Sequence, residues 1–245
     1  MLWLACPQPQ SALGTQASLQ LTRRMTGDLR LFVQNLLFVL AALLPIVNPF
    51  GGAPVFLAMT ADVTREVRAE LARKIGVNAF ILLVASLFVG TYVLDFFGLS
   101  VPIVQVAGGI VVCAAGWELL RAERVLVEMA PEPAAIATRA FYPLTLPLTV
   151  GPGTISVAIT IGAHQTPSVR SLLLEGTADV IGALIIATTI FICYRYADGI
   201  LRKLGETGTS VLVRLSAFIL LCVGVQIFWS GASTLLGSLP FSTSR

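Results

Sequence analysis

Two short stretches hold the residues best suited to recognise a small molecule: Asn48-Pro49-Phe50-Gly51-Gly52 and Gly151-Pro152-Gly153-Thr154-Ile155-Ser156. Neither pairs a nucleophile with a base; what they can offer is backbone. A proline lacks an N–H and disrupts the helical bond to the carbonyl four residues back. It also pushes the residue before it, Asn48 or Gly151, away from helical angles. A helix broken there leaves carbonyls without donors on one side and N–H groups at a positive dipole end on the other. The carbonyls suit a cation or an ammonium group and the N–H groups suit a carboxylate, so a zwitterion matches both. Asn48 adds an amide, and Gly51, Gly52, Gly151 and Gly153 allow close approach of a ligand to backbone. Thr154 and Ser156 set hydroxyls just past the second break. The expectation is that N–H groups near Gly51, Gly52, Gly153 and Thr154 face one central cavity. Taken singly, each stretch also reads as a plain proline kink.

Other chemistry is scarce. His164 is the only histidine and has no cysteine or carboxylate beside it. The four cysteines, Cys6, Cys113, Cys193 and Cys222, have no metal or disulfide spacing, and the last three lie in apolar runs where they act as small hydrophobes. No Ser-His-Asp set, His-Glu-x-x-His motif or phosphate loop occurs, so the chain is not expected to be an enzyme or to need a cofactor. Ionisable residues within a bilayer are functional suspects. Asp179, a few residues inside an apolar segment, is the one carboxylate that invites a test for proton coupling; otherwise it is an interfacial residue.

The elements that must position these residues follow from composition. Of 245 residues, 56% are hydrophobic and 12% charged, against about 25% charged in soluble domains. Mean hydropathy is +0.87. Six segments approach the ~20 apolar residues that cross a bilayer: 33–59, 75–95, 101–120, 141–162, 172–194 and 211–236. Strict two-residue alternation is missing, which disfavours a β-barrel. The first break falls inside the first segment and the second inside the fourth.

Basic residues set the expected orientation. Arg65, Arg68, Arg73 and Lys74 follow the first segment; Arg121, Arg124 and Arg139 follow the third; Arg195, Arg202, Lys203 and Arg214 follow the fifth. These eleven of sixteen place the odd-numbered loops in the cytoplasm and both termini outside. The net charge of +3 reflects this bias, and no basic patch calls for nucleic acid. Residues 1–29 read as an amino-terminal extension without fold, with Met25 a candidate natural start. Residues 239–245 read as a tail.

The chain repeats itself. Val104–Cys113 can be laid over Val213–Cys222, pairing the third segment with the sixth. The two proline-glycine breaks pair the first with the fourth. Three segments per half is odd, so the halves, 30–130 and 131–238, would enter the membrane from opposite sides. Inverted repeats of this kind are common in secondary transporters, whose sites lie near the midplane at broken helices. The fold expected is therefore an all-α polytopic membrane protein: six transmembrane helices as two inverted three-helix repeats, with broken first and fourth helices. Gln105 and Gln226 read as interhelical glue or as substrate contacts. Gly108, Gly109, Ala114, Ala115 and Gly116 read as close-packing positions. Trp117, Tyr92, Tyr142, Tyr194 and Trp229 fit the membrane interfaces.

The stretches LPIVNPFGGAPVFLAMT, VAGGIVVCAAGWELL, PLTLPLTVGPGTISVAIT and VRLSAFILLCVGVQIFWSG together resemble the MarC family of bacterial inner-membrane proteins, over about residues 30–236. The resemblance implies six transmembrane helices in the cytoplasmic membrane and kinship to proteins regarded as small neutral amino acid transporters. The leading expectation is a secondary transporter of small neutral amino acids or similar zwitterions. Its partners would be a small-molecule substrate, sodium or a proton as coupling ion, and membrane lipid. The alternatives are an exporter of apolar drugs or metabolites and a membrane protein that transports nothing.

Overall fold

The structure, a computed structural model, describes residues 10–61, 63–121, 140–163 and 169–238. Cys6, Arg124, Arg139 and His164, singled out above, lie outside the described residues.

Helix α1 (Gln10–Val47) meets α2 (Pro49–Met59) at Asn48. Helix α3 (Arg65–Phe96) is followed by α4 (Val101–Arg121). A second broken unit comprises α5 (Ala140–Thr149), wound in wide π-type turns, and α6 (Pro152–Ala163). Helices α7 (Val169–Arg195) and α8 (Ala197–Gly237) complete the chain. Among the described residues, five helices are long and apolar enough to cross a membrane, or six spans if the α5–α6 pair, bent by 69°, counts as one. The protein is an all-helical integral membrane protein that crosses the bilayer several times.

Local sequence accounts for the irregular places. Tyr142 and Leu146 each precede a proline and take extended angles (φ −123°, ψ 127° and φ −108°, ψ 128°), which widens the turns of α5. Two threonines repair the loss: the Thr145 hydroxyl donates to the Ala140 carbonyl at 2.6 Å and the Thr149 hydroxyl to the Leu144 carbonyl at 2.7 Å. In α8, Gly205 has φ 68° and ψ −180°, a region almost exclusive to glycine. The basic first turns of α8 are thereby set apart from its apolar remainder. Several helices outrun their apolar cores. Arg65–Lys74 form the first turns of α3 rather than a loop, and α1 reaches back to Gln10, into the segment expected to lack fold. Once a spanning helix is nucleated, each added residue costs little.

Helix contacts come in pairs across the two halves. Helix α2 packs on α8 and α6 on α4; α1 packs on α7 and α5 on α3; α2 packs on α7 and α6 on α3. Helices α3 with α7 and α4 with α8 join like to like. Small residues make these approaches close, as expected where lipid gives helices no hydrophobic reason to associate. A Cβ on Gly109 would lie 2.5 Å from the Phe228 nitrogen, and one on Gly116 2.8 Å from the Leu221 nitrogen. Gly224 faces Cys113 in the same α4–α8 seam. Ala114 and Ala115, grouped with these glycines from sequence, are exposed and do not join the seam. The apolar belt facing outward includes Trp117, Tyr92, Tyr142 and Trp229, all more than half exposed.

Candidate functional site

At the first break, Asn48 adopts left-handed angles (φ 45°, ψ 58°), a conformation asparagine tolerates better than most residues. Its N–H still bonds the Leu44 carbonyl at 3.0 Å. Its side-chain Oδ1 accepts from the Gly51 N–H at 3.1 Å, and its carbonyl accepts from the Gly52 N–H at 2.9 Å. Asn48 thus ends α1 and caps α2. This corrects the expectation that the Gly51 and Gly52 N–H groups face a cavity: both are consumed by Asn48. The capping role had a signal, since asparagine before a proline at the first helical position is a favoured start. Pro49 has no N–H to offer the Pro45 carbonyl, and among the described residues Asn48 Nδ2 has no hydrogen-bond acceptor.

The second break keeps its donors. The N–H groups of Gly153 and Thr154 donate to no acceptor among the described residues, while Ile155 N–H bonds the Gly151 carbonyl at 3.1 Å. Thr154 is 2% exposed, and its hydroxyl also has no partner among the described residues. Ser156 is committed: its hydroxyl donates to the Val104 carbonyl at 2.8 Å, binding α6 to α4. Gly153 is packed so closely on α4 that a Cβ would strike Val112. Gly151 is freer, with the Pro147 carbonyl 3.2 Å from its hypothetical Cβ and nothing nearer. Pro49 is buried and Pro152 exposed.

What joins the breaks is Tyr194, which the sequence placed at an interface and the structure buries completely. Its hydroxyl lies 3.0 Å from the Thr149 hydroxyl. Because Thr149 already donates to Leu144, Tyr194 is the donor in that pair. The same oxygen is 2.6 Å from where a Cβ on Gly52 would sit. Its ring stacks on Phe56 of α2, centroids 4.6 Å apart and planes 10° apart. Tyr194 therefore touches the first turn of α2 and the last residue of α5, two positions before Gly151. A buried tyrosine must satisfy its hydroxyl, and here the break in α5 supplies the partner.

Ser216 of α8 was also missed. It is 9% exposed, has no hydrogen-bond partner among the described residues, and its Cβ lies 2.8 Å from a hypothetical Gly51 Cβ. The overlay of the third and sixth segments sets it opposite Ala107, which gave no hint. Gln105 reads as interhelical glue in the structure, its Nε2 donating to the Thr160 hydroxyl at 3.3 Å, whereas Gln226 is exposed. Asp179 is fully buried rather than interfacial, and its Oδ1 accepts from Asn35 Nδ2 of α1 at 2.7 Å.

Chemically, the two breaks offer both halves of a zwitterion's needs. Gly153 N–H, Thr154 N–H and Asn48 Nδ2 are donors, and the carbonyl of Pro45 with the hydroxyls of Thr154 and Ser216 are acceptors.

Residues 33–236 match the family described as MarC family integral membrane protein. The inner membrane protein MarC of Salmonella paratyphi A is 30% identical over 205 residues, covering 78% of this chain and 91% of its own. That of Escherichia coli O1:K1 / APEC is 30% identical over 204 residues, with the same coverage. A UPF0056 membrane protein of the archaeon Pyrococcus horikoshii is 28% identical over 205 residues, covering 84% of this chain and 98% of its own. No solved structure matches.

Proposed function

The chain belongs to the MarC family of integral membrane proteins, and on that premise we propose that it is a secondary transporter of small neutral amino acids or similar zwitterions. It would work in the bacterial inner membrane, as the names of its bacterial relatives indicate for them. The observation that carries this reading is the junction at Tyr194, which brings the Asn48 break and the Gly151 break against one side chain. Isolated kinks in two helices have no reason to meet; half-helix ends that share a ligand do. The substrate carboxylate is assigned to the N–H groups of Gly153 and Thr154 at the positive end of α6, with Asn48 Nδ2 as a further donor. The ammonium is assigned to the end of α1, where Pro49 leaves the Pro45 carbonyl without its helical donor. Gly51, Gly52, Pro49 and Pro152 shape the breaks, and Ser156 holds α6 on α4. No covalent step is required, so the protein acts as a carrier and not as an enzyme. Sodium or a proton supplies the driving gradient.

An inverted relation between the halves fits this reading, and the pairwise exchange of helix contacts supports it. In such folds one half rocks against the other around a fixed midplane site.

Proteoliposomes containing the purified protein, loaded in turn with labelled glycine, alanine and a panel of apolar drugs, test the proposal. Accumulation of the amino acids above protein-free vesicles, abolished by collapsing the sodium or proton gradient, is expected. Movement of the drugs with none of the zwitterions would replace the carrier reading with the exporter one. Movement of neither would leave a membrane protein with kinked helices and no cargo.

A further inference from the structure

A second site lies where α3 begins and α7 turns into α8. A cleft of about 550 Å³ opens there, lined by Arg65, Glu66, Arg68, Arg195, Asp198 and Arg202. Asp198 is shared by two guanidinium groups, Arg65 Nη2 at 3.2 Å and Arg202 Nη2 at 2.9 Å. Arg68 is held by the end of α2, its Nη2 donating to the Thr60 carbonyl at 2.7 Å and its Nε to the Thr60 hydroxyl at 3.1 Å. Arg195 lies over the Tyr196 ring, 5.9 Å from its centroid, with no carboxylate partner among the described residues. Four guanidinium groups thus meet two carboxylates, an excess of two positive charges in one concavity. Helix α8 starts here with no side chain capping its first turn, adding backbone donors beside Asp198 and Gly199.

The forked donors of arginine match a phosphate better than they match a cation or an apolar guest. The cleft sits at the end of two apolar spans, on the face where basic residues concentrate, and thus at the depth of lipid phosphates on that side. We propose that this cleft binds a phosphate group, presented by an anionic phospholipid headgroup or by a soluble phosphate compound from the same aqueous side. The site is distinct from the helix breaks and does not depend on the transport reading.

Native mass spectrometry of the purified full-length protein, titrated with phosphatidylglycerol or with phosphatidylcholine of the same chains, tests it. Phosphatidylglycerol should be retained in preference to phosphatidylcholine. The R65Q/R195Q variant should lose about thirtyfold in that affinity, from two near-surface guanidinium contacts. Inorganic phosphate at constant ionic strength separates the sources: displacement of the bound lipid with a raised melting temperature identifies a general phosphate site, and no displacement identifies a lipid headgroup site. Glu66→Gln removes a carboxylate from the rim in the exposed first turn of α3, ahead of its apolar part, and should tighten binding even if the double variant folds poorly. Equal retention of the two lipids with no effect of phosphate overturns the proposal. So does unchanged affinity in both R65Q/R195Q and Glu66→Gln.

Discussion

Tyr194 and Asn48 show how single polar groups organise the broken region. Replacing Tyr194 by Phe keeps the ring on Phe56 but removes the donor to Thr149. The expected loss is about 0.5–1.5 kcal/mol for one hydrogen bond, read as a lower melting temperature of the purified protein. If Tyr194 also registers the two breaks, transport should fall by more than this stability change explains; equal, small effects on both would reduce it to a packing residue. Asn48 has two jobs, a left-handed backbone and a cap on Gly51. Asn48→Gly keeps the first and loses the second at a few tenths of a kcal/mol. Asn48→Ala loses the cap, for about 1 kcal/mol, and forces a Cβ into left-handed angles for about 1–2 more. Alanine should therefore melt well below glycine; the reverse order would mean that the cap is not what holds the break. Both variants should weaken substrate binding alike, since each lacks Nδ2.

Between elements, glycine determines how closely helices approach, and this changes which substitutions can probe function. Gly153→Leu drives a side chain into Val112 on α4 and Gly109→Leu drives one into the Phe228 backbone on α8. Overpacking of this kind typically costs about 1–3 kcal/mol and often more when the obstacle is backbone. Both variants should show reduced folded yield by size-exclusion chromatography, so neither isolates a ligand role. Gly151→Ala is the sharper probe, because only the Pro147 carbonyl, 3.2 Å from the added carbon, must give way. It should fold with a melting temperature near that of the parent and still transport poorly if the α5–α6 hinge must flex. Normal transport by Gly151→Ala would mean the hinge needs no glycine.

At the scale of the whole molecule, orientation rests on the arginines and lysines that end α4 and α7 and begin α3 and α8. With these in the cytoplasm, a cysteine introduced at Ala61 should resist membrane-impermeant thiol reagents in intact cells. One introduced at Gln165 should react. The opposite pattern would invert the topology, and with it the side from which the phosphate cleft is reached.

The spans, the two breaks and the family were legible in the residues themselves, because lipid demands long apolar runs and prolines interrupt them by covalent geometry. What each donor does was not. The N–H groups of Gly51 and Gly52 are spent on Asn48, those of Gly153 and Thr154 are not, and only folded distances distinguish them. Tyr194 is the last residue of the apolar segment 172–194, where tyrosine ordinarily meets the membrane interface. Its burial follows from the turn of α7 against α2 and α5, with Gly52 leaving room for the hydroxyl and Thr149 accepting its proton. The burial of Asp179 has a similar reason, since Asn35, 144 positions away, arrives beside it on α1. Sequence determined which groups lose their helical partners; tertiary structure decided which of them find new ones, because that depends on neighbours far apart along the chain.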